Sequence, residues 1–89
     1  MDSSSLTSEH VRAARALLRW EQKTLAARSG VSLPTIKRLE IQPGVLSAYA
    51  ETVLAIRKAF EAAGIEFQNS GELGVRLRKR QRKASAKKR

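Results

Sequence analysis

The chain has 89 residues, no cysteine, one histidine and a formal net charge of +10. A chain this short buries only about 60–65% of the surface its unfolded form exposes, which argues against a deep catalytic cavity or a separate ligand-sensing domain. Without cysteine there are no disulfides or thiolate metal sites, and His10 alone leaves a histidine-based zinc site short of ligands, so helix packing is the expected source of stability and no metal or cofactor is expected.

The opening Met-Asp-Ser-Ser-Ser is acidic and polar and no long apolar stretch follows it. Neither a signal peptide nor a membrane span is readable, and a cytoplasmic, nucleoid-associated protein is expected. Residues 1–6 read as a disordered terminus. Thr7 is positioned to cap a first helix over about Ser8 to Arg19, with Glu9 in the favourable first turn and Val11, Ala14, Leu17 and Leu18 forming an apolar stripe. His10 is expected at the surface, and Trp20 closes the helix. A second helix is predicted over Gln22 to Ser29, burying Leu25 and Ala26, with Gly30 supplying the left-handed residue that ends it. Val31 follows as a buried turn residue. Ser32 then caps a third helix, whose first turn accommodates Pro34 because that amide hydrogen is unpaired in any case.

Gln42-Pro43-Gly44 signals a turn. Ser47 is the predicted cap of a fourth helix to about Ala63, with Tyr49, Val53, Ile56, Phe60 and Ala63 on one face, and Gly64 ends it. Trp20 and Tyr49 are expected to be packing residues. Ile65-Glu66-Phe67-Gln68 and Val75-Arg76-Leu77-Arg78 alternate apolar with polar around Asn69-Ser70-Gly71, which predicts a β-hairpin over residues 65–79. Its apolar face would rest on the helices or on a second subunit. From Gly71 onward nine Lys and Arg face Glu72 alone, so the tail carries +8 of the charge and the first seventy residues only +2. Residues 80–89 lack apolar side chains beyond alanine and are expected to be disordered without a ligand. Such a segment attracts polyanions, nucleic acid before membrane, since a membrane surface is usually met by an amphipathic helix with bulky apolar residues; simple solubility is the bland alternative.

The informative stretch runs from Gln22 to Glu40. Two short helices joined by a glycine turn cross steeply, so the crossing needs a small residue, here Ala26, and the turn needs a positive φ, here Gly30. Leu25, Val31, Ile36 and Leu39 bury the inner sides, leaving Ser32, Leu33, Pro34, Thr35, Lys37 and Arg38 on or near the outer face of the second helix. A helix of that kind fits a DNA major groove about 12 Å wide.

The pattern Leu25-Ala26-x-x-x-Gly30-Val31-Ser32-x-Pro34-Thr35-Ile36-x-x-Leu39-Glu40 resembles the XRE, or Cro/repressor-type, helix-turn-helix family. The flanking Ala14-Arg15-Ala16-Leu17-Leu18, Glu61-Ala62-Ala63-Gly64-Ile65-Glu66-Phe67 and Gly74-Val75-Arg76-Leu77-Arg78 are similar to small single-domain regulators of that family found in alphaproteobacteria. The resemblance covers about Ser8 to Lys79. It implies a mainly α fold, a lambda-repressor-like bundle of about four to five helices with its helix-turn-helix, spanning residues 7–64 and followed by the small hairpin and the basic tail. It also implies that Leu33, Pro34, Lys37 and Arg38 face bases and that Gln22, at the N-terminus of the second helix, contacts a phosphate, with Thr35 at a phosphate or a thymine methyl. Ser32 and the basic residues Arg78, Lys79 and Arg80 are further expected phosphate contacts. Arg38 is the favoured reader, since a guanidinium can donate two hydrogen bonds to guanine. Arg15 and Glu40 are implied as a structural pair. Three positions depart from the family pattern: Glu21 where a serine or asparagine cap is usual, Arg19 where glycine often ends the first helix, and Ser29 where a small apolar residue is common. Ile41-Gln42 also replaces the usual glycine after the third helix.

No nucleophile beside a base, glycine-rich phosphate loop or paired carboxylates in a cleft can be read, so an enzyme is not expected. The resemblance implies a transcriptional regulator binding double-stranded DNA as a homodimer on an inverted repeat, with dimerisation through the hairpin or the fourth helix. Two alternatives stay open: a protein-interaction module such as an antitoxin or antiactivator, and an architectural factor for recombination that bends DNA.

Overall fold

Thr7 sits in extended backbone and caps α1 (Ser8–Leu18), its side chain accepting from the His10 amide. His10 Nδ1 in turn accepts from the Thr7 amide at 3.1 Å, so the two residues satisfy each other's donors as a Ser/Thr and a Glu/Gln do in a capping box. The computed structural model describes residues 6–68 and 74–78. In it α1 ends on Arg19, which takes the left-handed conformation at φ 59°, ψ 38°. A residue with a Cβ pays roughly 1–2 kcal/mol for that conformation, the cost of having arginine where a glycine would fit.

α2 (Gln22–Ser29) stops at Gly30, φ 78°. The connection to α3 (Leu33–Ile41) is two residues longer, and Ser32 caps α3 with Pro34 in its first turn. Gly44, φ 92°, turns the chain back to the start of α1: the Ser8 amide donates to the Gly44 carbonyl and the Gly44 amide donates to Glu9 Oε1. α4 (Ala50–Ala62) follows, and the chain passes Gly64 at φ 102° into an antiparallel hairpin. In it β1 (Ile65–Gln68) pairs with β2 (Gly74–Leu77), with Ile65 opposite Leu77 and Phe67 opposite Val75.

One core unites these elements. Val11 and Ala14 of α1, Leu25 of α2, Ile36 and Leu39 of α3 and Ile56 and Phe60 of α4 are all buried in it, with Ile65 closing it from the hairpin. β2 lies against α1 and β1 against α4, so the hairpin's apolar side rests on the helices of its own chain. Among the described residues no helix is long and apolar enough to cross a membrane.

Several expectations are corrected. Leu6, assigned to a disordered terminus, is 1% exposed; its carbonyl accepts from the Leu46 amide, and Thr7 bridges to Val45. That tether holds residues 45 and 46 extended, so α4 starts at Ala50 instead of after Ser47, and Tyr49 becomes its cap residue, 81% exposed and outside the packed face. His10 is buried, its ring edge-on to Phe67 at 5.7 Å, because the hairpin covers the first turn of α1. Leu17 is exposed, leaving Val11 and Ala14 as the buried stripe of α1. Trp20 does pack, stacked on Phe60 at 5.6 Å, and the Arg28 guanidinium lies over its ring at 5.2 Å. The basic tail of residues 80–89, and Lys79 before it, lie outside the described residues.

Candidate nucleic-acid interface

The geometry of α2 and α3 is set by their ends. Ser29 Oγ donates to the Leu25 carbonyl at 2.7 Å and accepts from the Val31 amide at 3.2 Å, so its hydroxyl satisfies the turn that leads out of α2. The Gly30 amide donates to Ala26. Ser32 Oγ accepts from the Thr35 amide at 3.4 Å and donates to Thr35 Oγ1 at 2.9 Å, which fixes the first turn of α3. Glu21 makes no side-chain capping bond to α2, its carboxylate lying 3.7 Å from Lys23 Nζ, so the first backbone amides of that helix depend on other acceptors.

The C-terminal end of α3 is pinned by charge. Glu40, 6% exposed, accepts two bonds of 2.7 Å from the Arg15 Nε and Nη2 fork. Gln22 Nε2 donates to the same carboxylate at 3.1 Å, and Arg12 Nη1 donates to the Glu40 carbonyl at 2.6 Å. Arg15 Nη1 also reaches the Trp20 carbonyl at 3.0 Å, beyond the left-handed Arg19. One carboxylate therefore ties α1, α2 and α3 together. Charge-assisted, two-pronged bonds of this kind hold orientation as well as energy.

From that anchored base α3 presents its other side outward. Ser32, Pro34, Lys37 and Arg38 are exposed, and Leu33 and Thr35 half-buried. Among the described residues the side chains of Lys37 and Arg38 have neither a hydrogen bond nor an ion pair. Arg38 and Thr35 line a cleft of about 480 Å³ against the start of α4, whose other wall is Ser47, Ala48, Tyr49 and Thr52. Of the expected site residues the structure thus gathers Ser32, Leu33, Pro34, Thr35, Lys37 and Arg38 on one helix. Gln22 stands at the head of α2, where its Nε2 donates one bond to Glu40 at 3.1 Å. Arg78 is on the hairpin, bonded to Glu66 at 3.3 Å, with its own amide held by the Gly64 carbonyl. Lys79 and Arg80 lie outside the described residues.

The reading of residue types missed Arg12, Tyr49 and Thr52. Arg12 was detectable in principle, being three residues before Arg15 on the same side of α1. Tyr49 and Thr52 share a cleft with Arg38 that joins α3 to the distant start of α4, which leaves no local signal. Among the described residues no group of three or more His, Cys, Asp and Glu comes together. No protein-family model matches the chain, and a search of curated proteins finds no match.

Proposed function

We propose that this chain is a sequence-specific regulator that binds double-stranded DNA, with α2, the Gly30 turn and α3 acting as a helix-turn-helix of the XRE or Cro/repressor type. α3 is the reading helix. It enters the major groove with Leu33, Pro34, Lys37 and Arg38 toward base edges, while Ser32, Thr35 and the amides at the head of α2 meet phosphates. Arg38 donates to guanine O6 and N7, a pairing worth about 1–3 kcal/mol of discrimination at one base pair. The chain acts as a homodimer on an inverted repeat whose half-sites are about one helical turn apart, and the basic tail adds phosphate contacts without sequence information.

The observation that carries this reading is the division of charge on α3. Its inward carboxylate accepts from three donors, whereas its outward cations, Lys37 and Arg38, are exposed and have no side-chain partner among the described residues, and Arg38 lines a cleft. An exposed cationic helix face with a rigid base is what groove insertion needs.

Selection of bound duplexes from a randomised pool tests it. The expected result is one palindromic consensus, and Arg38→Ala is expected to relax a single symmetric pair of positions within it. A pool that shows no enrichment, or a wild type and Arg38→Ala that select the same sites, removes the assignment and favours the protein-interaction alternative.

A further inference from the structure

Opposite the buried Ile56 and Phe60, α4 turns a second face to solvent. Glu51, Leu54 and Lys58 recur there at intervals of three and four, which places them in one row. Leu54 is 49% exposed and Val45, in the preceding loop, 67%. Between them lies a largely apolar groove of about 340 Å³, walled by Ala48, Ala50 and Val53, with Arg57 at its rim.

The charges along this row are opposite on the two sides of Leu54. Glu51 comes three residues before it, and Arg57 and Lys58 come three and four after it. In two antiparallel helices related by a two-fold axis passing between Leu54 and Ala55, a residue a given number of steps before the centre meets one the same number of steps after it, which sets Glu51 of each copy against Lys58 of the other. Arg57 is already committed, ion-paired to Glu61 at 3.1 Å with its guanidinium over the Phe67 ring, so the available cation is Lys58. Parallel packing would instead set Glu51 on Glu51 and Lys58 on Lys58.

We infer that the exposed face of α4 is the homodimer interface, with two copies antiparallel about that axis, Leu54 and Val45 of each filling the groove of the other, and two Glu51–Lys58 ion pairs closing the ends. This rests on the homodimer reading above and gives it a surface. Ala48 lines both this groove and the cleft beside Arg38, so the interface adjoins the reading helix, and neither Lys37 nor Arg38 lines the groove itself.

Sedimentation equilibrium on the full chain without DNA tests it. Wild type is expected to dimerise at micromolar concentration. Leu54→Glu is expected to sediment as a monomer while its helical circular dichroism and melting temperature stay near wild type, because the side chain is half-exposed in the monomer. Glu51→Lys and Lys58→Glu should each weaken the dimer about tenfold, since each puts like charges at both ends, and the double exchange E51K/K58E should recover to within about threefold of wild type. A wild type that remains monomeric at about 1 mM overturns the interface, as does a Leu54→Glu chain that dimerises normally or a double exchange without recovery. The DNA reading fails separately: a dimer that responds to these charge exchanges but enriches no duplex would retain the interface and lose the regulator, and a monomer that still selects a consensus would do the reverse.

Discussion

Two ends of one helix treat charge in opposite ways. At the C-terminal end of α3 Glu40 is buried and takes bonds from Arg15 and Gln22, so its charge is consumed inside the molecule. Two residues earlier Arg38 stands exposed without such a partner among the described residues. A buried charge left unpaired is expensive, so the inner group exists only as part of its network, while the outer one is free to serve a second molecule. On the proposed function, the contrast makes stability and recognition separable by mutation.

The largest expected effect is on the inner end. Arg15→Ala strands the Glu40 carboxylate in the core with Gln22 as its only donor, and breaking a buried pair from one side costs about 3–5 kcal/mol. The lower part of that range is expected here because Arg15 retains some solvent contact, its side chain being 20% exposed. Urea unfolding measures the loss. At a temperature where the variant is folded, its preferred DNA sequence should match that of wild type; a changed consensus would mean that the network reads bases and would break the division.

Next in size is Leu6→Ala, expected to cost about 2–3 kcal/mol as a large-to-small change at a fully buried position. It sharpens the comparison from a third direction, since Leu6 lies outside α3 and its carbonyl holds the Leu46 amide ahead of α4. Hydrogen exchange at the Leu46 amide should accelerate with it. An unchanged melting temperature would show that the domain starts after residue 6.

At the outer end Arg38→Ala should leave stability within about 0.5 kcal/mol of wild type, as surface substitutions usually do, while removing about 1–3 kcal/mol of discrimination at one base pair. Competition binding between the consensus duplex and single-base variants measures it. A uniform weakening across all duplexes would reassign Arg38 to a phosphate.

The parts readable in the sequence are those whose cause is local. The bounds of α2, the left-handed Gly30 and the Ser32 cap with Pro34 follow from residues within one turn of each other, and the structure has them at the expected positions. The hairpin was also readable, through apolar and polar alternation on either side of Asn69-Ser70-Gly71, though β2 begins one residue earlier than expected. What escaped depends on distant chain. Tyr49 points outward because Leu6 and Thr7 hold Val45 and Leu46, some forty residues away in sequence, in extended pairing. Gln22 turned inward because Glu40 offered a second lone-pair direction after Arg15 had taken its two, which no spacing rule announces. The outer face of α3 could be listed by residue type from helical periodicity alone, but its freedom from internal partners could be judged only with the fold in hand.

The smallest expected effect concerns His10, whose burial depends on Phe67 far along the chain. Thr7 Oγ1 accepts from the His10 amide at 3.0 Å, so its own proton points to Nδ1, 2.8 Å away, and the Thr7 amide also donates there. Nδ1 is therefore an acceptor and the ring proton sits on Nε2, a buried atom without a partner among the described residues. Burial first, and then the charge of Arg57, hold the imidazole below its ordinary value of 6.5, with Glu9 pulling weakly the other way. A base whose folded pKa is depressed binds its proton more readily when unfolded, so its contribution to stability is intact above about pH 6.5 and is lost as pH falls from there through the folded value. Glu9 and Glu66, both held below 4.5 by hydrogen bonds, give a separate loss at more acidic pH. His10→Gln keeps an acceptor at the third helical position, where glutamine serves a capping box, and removes the titration. The expected result is a stability profile that is flat through the region below pH 6.5 and still falls where the carboxylates protonate. A variant that retains the upper step would place the proton uptake elsewhere.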